Sequence, residues 1–148
     1  MSNQKMERDT RERLPKSRAL EAGGTIYAGT LVALNSSGLA VPAADAAGLR
    51  VLGRAENSAV TGEQVEVAEG CFLLDNAGSG NALTLADLGR FAYVADDRTV
   101  SKSPGSNGVV AGIVFDVEPL GVWVRVDAVA ALLAAHAAQS ASVGHISA

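Results

Sequence analysis

His136, His145, Cys71 and a few acidic pairs are the residues of this sequence whose types could do chemistry. Histidine catalysis or metal binding needs the imidazoles held against carboxylate partners. Both histidines fall in the tail beyond Asp127, in an Ala-rich stretch and a polar end, with no Asp or Glu beside them. Asp75-Asn76 and Asp96-Asp97 are expected at turn tips, where Asx side chains bond nearby backbone amides. "DDRTV" lacks the loop spacing that gathers six or more oxygens around calcium. Asp116 and Glu118 alternate along one strand face and read as a solvated edge, not an acid/base pair. "NAGSGNA" (76–82) is Gly-rich but lacks the Gly-Lys-Ser/Thr ending of a phosphate loop. Ser36 and Ser37 sit in a turn with no nucleophile elbow around them. Cys71, the single cysteine, can form no intramolecular disulfide and reads as a small hydrophobe in "CFLL". No catalytic residue, metal site or cofactor is expected.

The elements that would carry these residues are short strands. The chain has 148 residues, 48% hydrophobic but only 4% aromatic, with 16 glycines. Its core must come from Val, Leu, Ile and Ala, with Trp123 as the one large plate, placed in the core or at a subunit seam. The net charge of −4 is uneven. Residues 1–18 carry Lys5, Arg8, Arg11, Arg13, Lys16 and Arg18 against Glu7, Asp9 and Glu12, so the rest is strongly acidic. An acidic body repels phosphate backbones, and no partner nucleic acid is expected. No leader-like apolar region opens the chain and no apolar run reaches membrane-spanning length, so no membrane partner is expected.

Residues 1–18 read as a flexible charged arm and 19–127 as a β domain. "GTLVALNSSGLAVPA" (29–43) reads as strand, tight turn, strand, and "GRFAYVADDRTVSKS" (89–103) repeats its layout further along the chain. Gly108 then matches Gly48, Gly112 matches Gly53, Gly121 matches Gly62, Val124 matches Val65 and Val126 matches Val67. The spacing predicts two copies of one unit (29–73 and 89–132) packed as a compact pseudo-twofold barrel. Gly53 is expected at a bulge or close approach. "LTLADLG" is expected as a helical turn or docking loop. Residues 128–148 are predicted to hold a short helix and a flexible tail, with Asp127 as N-cap. Val129, Leu132, Leu133 and His136 share its apolar stripe, which needs the barrel or another subunit to pack on.

"AGGTIYAGTLVALNSSGLAVPAADAAGLRVLGRAE", "VEVAEGCFLL", "ADLGRFAYVADDRTVSKS" and "AGIVFDVEPLGVWVRVD" resemble the capsid decoration, or cement, proteins of tailed bacteriophages. The resemblance spans about Ala22 to Asp127. It implies a mainly β fold, a small barrel of β-clip or β-tulip type. It further implies a non-enzymatic structural virion protein, made in the host cytoplasm. Such a protein binds the outer capsid surface, often as a homotrimer, and clamps neighbouring major capsid subunits. On this reading the basic arm residues meet acidic capsid patches, and Trp123, Val129, Leu132, Leu133 and His136 are candidate subunit-interface residues. The rival readings are another virion part (a head-tail connector or a tail-fibre module) and a ligand-binding or enzymatic β-barrel.

Overall fold

The computed structural model describes residues 17–127 and Leu133. The expected mainly β fold is what it shows. Ten strands follow in order: β1 (Ser17–Glu21), β2 (Leu31–Leu34), β3 (Ala40–Pro42), β4 (Arg50–Ala55), β5 (Gln64–Ala68), β6 (Gly70–Asn76), β7 (Phe91–Val94), β8 (Thr99–Ser101), β9 (Val110–Glu118) and β10 (Gly121–Val126). Short 3-10 turns at Ser79–Asn81 and Leu85–Asp87 lie between β6 and β7. "QVEVAEGCFLL" is therefore two strands parted by Glu69. The first strand begins at Ser17, inside the expected arm: Arg18 pairs with Val67 and its guanidinium lies 3.7 Å from Glu69.

Strand order states the duplication directly. The first sheet runs β1-β5-β4-β2-β3, and the second, a closed barrel, runs β6-β10-β9-β7-β8 and returns to β6. The registers agree residue by residue. Leu31↔Arg54, Val32↔Gly53 and Ala33↔Val51 become Phe91↔Ile113, Ala92↔Gly112 and Tyr93↔Val110, with the same register shift. Ala55↔Val67 becomes Val114↔Val124. The parallel closure of the barrel, Asn76↔Val100, is present in the first unit as the single bridge Ala22↔Ala40. Each unit thus starts one strand earlier than its hairpin glycine. The later valine matches also shift: Val67 corresponds to Val124 and Val65 to Val122, because the β9–β10 connection is shorter than that between β4 and β5. A period of two hides this slip, since it leaves every side chain on the same face.

Glycine is demanded where chain meets chain. A Cβ on Gly53 would strike the carbonyl oxygen of Ala68, and one on Gly112 the carbonyl oxygen of Arg125. The hairpin openings Gly29 and Gly89 adopt φ of 88° and 83°, the left-handed region open to glycine.

The first core gathers Ala22, Ile26, Val32, Ala40, Ala55, Ala59, Val65 and Val67. The larger core fills the barrel with Phe72, Leu74, Ala92, Val100, Val114, Val122, Val124 and Val126, and takes in Leu31, Ala33, Ala43 and Val51 from the first unit. Strand β2 is thus buried on both sides, which explains its unbroken "LVAL". A valine fully removed from water contributes about 1.5–3 kcal/mol, so this shared core makes one body of the two units.

Polar contacts fix the seam. Leu31 N donates to Asp97 O at 2.7 Å. The Asp45 carboxylate accepts from Ser106 N and Asn107 N, each at 2.9 Å, and the Asn107 amide donates to Asp45 O at 3.0 Å. The Arg54 guanidinium lies 4.2 Å from the centre of the Phe72 ring. The bonds from Ser106 N and Asn107 N hold the Asp45 carboxyl below its ordinary 3.8. A depressed carboxyl stabilises the fold above its unfolded pKa, and that contribution is lost as pH falls through the folded value. Asp45→Ala is therefore expected to lower the urea midpoint at neutral pH. The gap from the parent chain should close as pH drops below the ordinary carboxyl range, which equilibrium unfolding from neutral to strongly acid solution will measure.

Candidate functional surfaces

Two outward faces of the barrel carry large apolar side chains, and each follows from strand alternation. On β10, Val122, Val124 and Val126 point inward, so Trp123 and Arg125 point out. Trp123 stands opposite Leu73 on β6 and Asp116 on β9. The β9–β10 register shifts between Trp123 and Val124, and Phe115 is the extra residue of that bulge. The bulge turns Phe115 outward, 68% exposed, beside the row Asp116–Trp123–Leu73. Leu120, in the turn between β9 and β10, is 79% exposed. The result is an apolar patch of Leu73, Phe115, Leu120 and half-buried Trp123 on a rigid wall. Acidic Asp116 and Glu118 border it, as does the Arg125–Asp127 pair at 2.8 Å. Trp123 is therefore not a core plate; the core is filled by its valine neighbours.

Cys71 lies on the same outer wall, exposed, opposite Arg125. It is not the buried hydrophobe read from "CFLL", because Phe72 and Leu74 take the inward positions. Partial burial pushes its thiol up, against the opposing pull of Arg125, so the thiolate is disfavoured at neutral pH.

The second face is a groove of about 450 Å³ lined by Leu83, Asp87, Gly89, Arg90, Phe91, Tyr93, Lys102 and Pro104. Phe91 and Tyr93 are the outward residues of β7, their rings edge-to-face with centres 6.3 Å apart. The "LTLADLG" segment supplies the wall as a 3-10 turn closed by a capping box. Thr84 N donates to Asp87 Oδ2 at 2.8 Å, and Ala86 N donates to Thr84 Oγ1 at 3.3 Å. The Thr84 amide is the chief reason the Asp87 carboxyl titrates low; Lys102 and Arg90 add to it. Asp87 is thus a structural cap with its charge already satisfied.

The acidic residues singled out in the sequence do not converge. Asp75 is not at a turn tip but in β6, paired with Thr99, while Asn76 bonds Leu83 through both side-chain atoms at 2.9 Å. Asp96 does close its turn, accepting from Arg98 N at 2.9 Å. Among the described residues no group of three His, Cys, Asp or Glu is placed to hold a metal, and no helix is long and apolar enough to cross a membrane. Lys5, Arg8, Arg11, Arg13, Lys16, Val129, Leu132, His136 and His145 lie outside the described residues; Leu133 is 45% exposed. Sequence reasoning missed Phe115 and the β7 groove. The signals were there: "VFD" breaks the alternation of β9, and "FAY" puts aromatics where the first repeat has Leu and Ala.

Comparison of the chain with protein-family descriptions, with curated proteins and with solved structures finds no match.

Proposed function

We propose that this chain is a structural virion protein that binds the outer surface of a phage capsid as a homotrimer and cements neighbouring major capsid subunits. The observation that carries this reading is the apolar patch of Leu73, Phe115, Leu120 and Trp123, set on a barrel wall and bordered by charge. An apolar centre with a polar rim is how protein-docking surfaces are built. A stiff wall loses little conformational freedom on docking, so more of the contact energy is kept. The region that resembles decoration proteins, about Ala22 to Asp127, contains every strand from β2 to β10, the frame of both units. The basic arm adds charge steering toward acidic capsid patches.

Electron microscopy of expanded heads lacking the protein tests this. Added protein is expected to appear as regularly spaced density on the outer surface, and bare heads at saturating protein overturn the proposal. The same assay tests the arm. Because β1 starts at Ser17, the cut belongs after Lys16, sparing the β1–β5 ladder. The chain lacking residues 1–16 is expected to keep its unfolding temperature yet bind heads about tenfold more weakly at low salt, with the gap shrinking at high salt.

A further inference from the structure

The two units meet in one direction only. The outward face of the first unit, Leu31, Ala33, Ala43 and Val51, is no more than 4% exposed because the second unit covers it. The covering contact includes the β7–β8 turn, whose Asp97 carbonyl accepts from Leu31 N. The repeat places Phe91, Tyr93, Ser103 and Val110 at the same four positions of the second unit. All four are half-buried there, and the groove opens over Phe91 and Tyr93. The residue corresponding to Asp97 is Ser37, in the β2–β3 turn. Phe91 N makes no counterpart bond to Ser37 O, and Ser37 is exposed. One copy of the interface is therefore filled within the chain, while both of its halves stand open at opposite ends of the repeat.

We propose that the β7 groove around Phe91 and Tyr93 receives the β2–β3 turn of a second copy of this chain, so that chains join head to tail through a repetition of their internal seam. The substitutions between repeats fit a contact between chains. Leu and Ala, suited to permanent burial, become Phe and Tyr, residues enriched where surfaces are wet before assembly and dry after it. The 3-10 turn beside the groove adds Leu85 and Leu88, 61% and 47% exposed. The β2–β3 turn is a preformed plug: Asn35 Oδ1 accepts from Ser37 N and Leu39 N at 2.9 and 3.0 Å. It carries no charge of its own, so it enters beside Arg90 and Lys102 without like-charge repulsion. The contact is heterologous: the turn of one chain meets the groove of the next, and no twofold axis relates them. The inference concerns what joins the copies and stands apart from whatever their assembly binds.

Cross-linking between two singly substituted chains tests the direction as well as the contact. In a Cys71→Ala background, Ser37→Cys and Lys102→Cys chains are made separately, mixed, allowed to exchange and treated with a short bis-maleimide. Both sites are exposed, so folding is not at stake. A covalent dimer is expected in the mixture and in neither chain alone. Adding Tyr93→Glu to the Lys102→Cys chain is expected to cut its yield about tenfold. No dimer in the mixture overturns the proposal, as does a dimer of Lys102→Cys with itself, which would mean a twofold contact. Heads that bind a chain failing this test would leave the capsid reading standing without it. Chains that cross-link as expected but leave heads bare would do the reverse.

Discussion

Gly112→Ala is expected to destabilise the body by about 1–3 kcal/mol, a fall of roughly 4–12 °C in unfolding temperature. The added methyl has nowhere to go. It would overlap the Arg125 carbonyl oxygen and lie 2.8 Å from Val124 Cγ1, and both belong to the strand that closes the barrel core. Relief requires moving β9 away from β10, which opens Val114 and Val124, both buried. Gly53→Ala repeats the collision against Ala68 in the first unit and is expected to cost a similar amount. Gly78→Ala is the control. That glycine has φ of −89° and nothing within 4 Å of an added Cβ, so its substitution should be neutral or slightly stabilising through the unfolded chain. Thermal unfolding of the three variants decides. Equal effects at positions 78 and 112 would mean that the close approach of β9 to β10 is not what glycine serves there.

These paired glycines show how far the sequence can be read. Gly29/Gly89 and Gly53/Gly112 reveal the repeat because a left-handed turn favours glycine and a backbone collision rejects any Cβ, so the spacing survives when side chains diverge. The alternation in "QVEV" and "GVWV" shows which residues face inward for the same kind of reason: one face is dry. What alternation cannot show is register, since a slip by one full period keeps every side chain on its face. That is why the spacing pairs Val126 with Val67 where the fold pairs Val124 with it. The bulge at Phe115 also escapes, because one extra residue reads as an interruption and does not say where it points. Nor can composition tell that Leu31 and Ala33 are covered while Phe91 and Tyr93 are open. That difference is made by what packs on each unit, a long-range fact with no local signal. The candidate surfaces are therefore the least legible part. Trp123 stands out by its size, but its companions Leu73 and Phe115 come from strands far apart in the chain, joined only by the β6-β10-β9 order.

Trp123→Ala combined with Phe115→Ala is expected to weaken binding to expanded heads by about 30-fold or more while leaving the protein folded. The size follows from what such residues do at interfaces. Truncating a buried aromatic anchor commonly costs about 2 kcal/mol or more, and about 1.4 kcal/mol is tenfold in affinity. The fold should survive because neither ring fills the barrel. Phe115 is 68% exposed, and Trp123 covers the outside of a wall whose interior is packed by Val122, Val124 and Val126. Alanine also leaves the bulge intact, since the extra backbone residue stays. Co-sedimentation of the double variant with heads, set beside its unfolding curve, separates the two effects. A folded variant that sediments with heads as the parent does would remove this wall from the docking surface and leave the arm as the main contact. Leu73→Ala, on the neighbouring strand, sharpens the result. If the wall docks as one surface, Leu73→Ala should cost less on top of the double variant than it does alone, because residues sharing one buried contact lose energy together. Full additivity would mean that the three side chains do not meet the capsid as one patch.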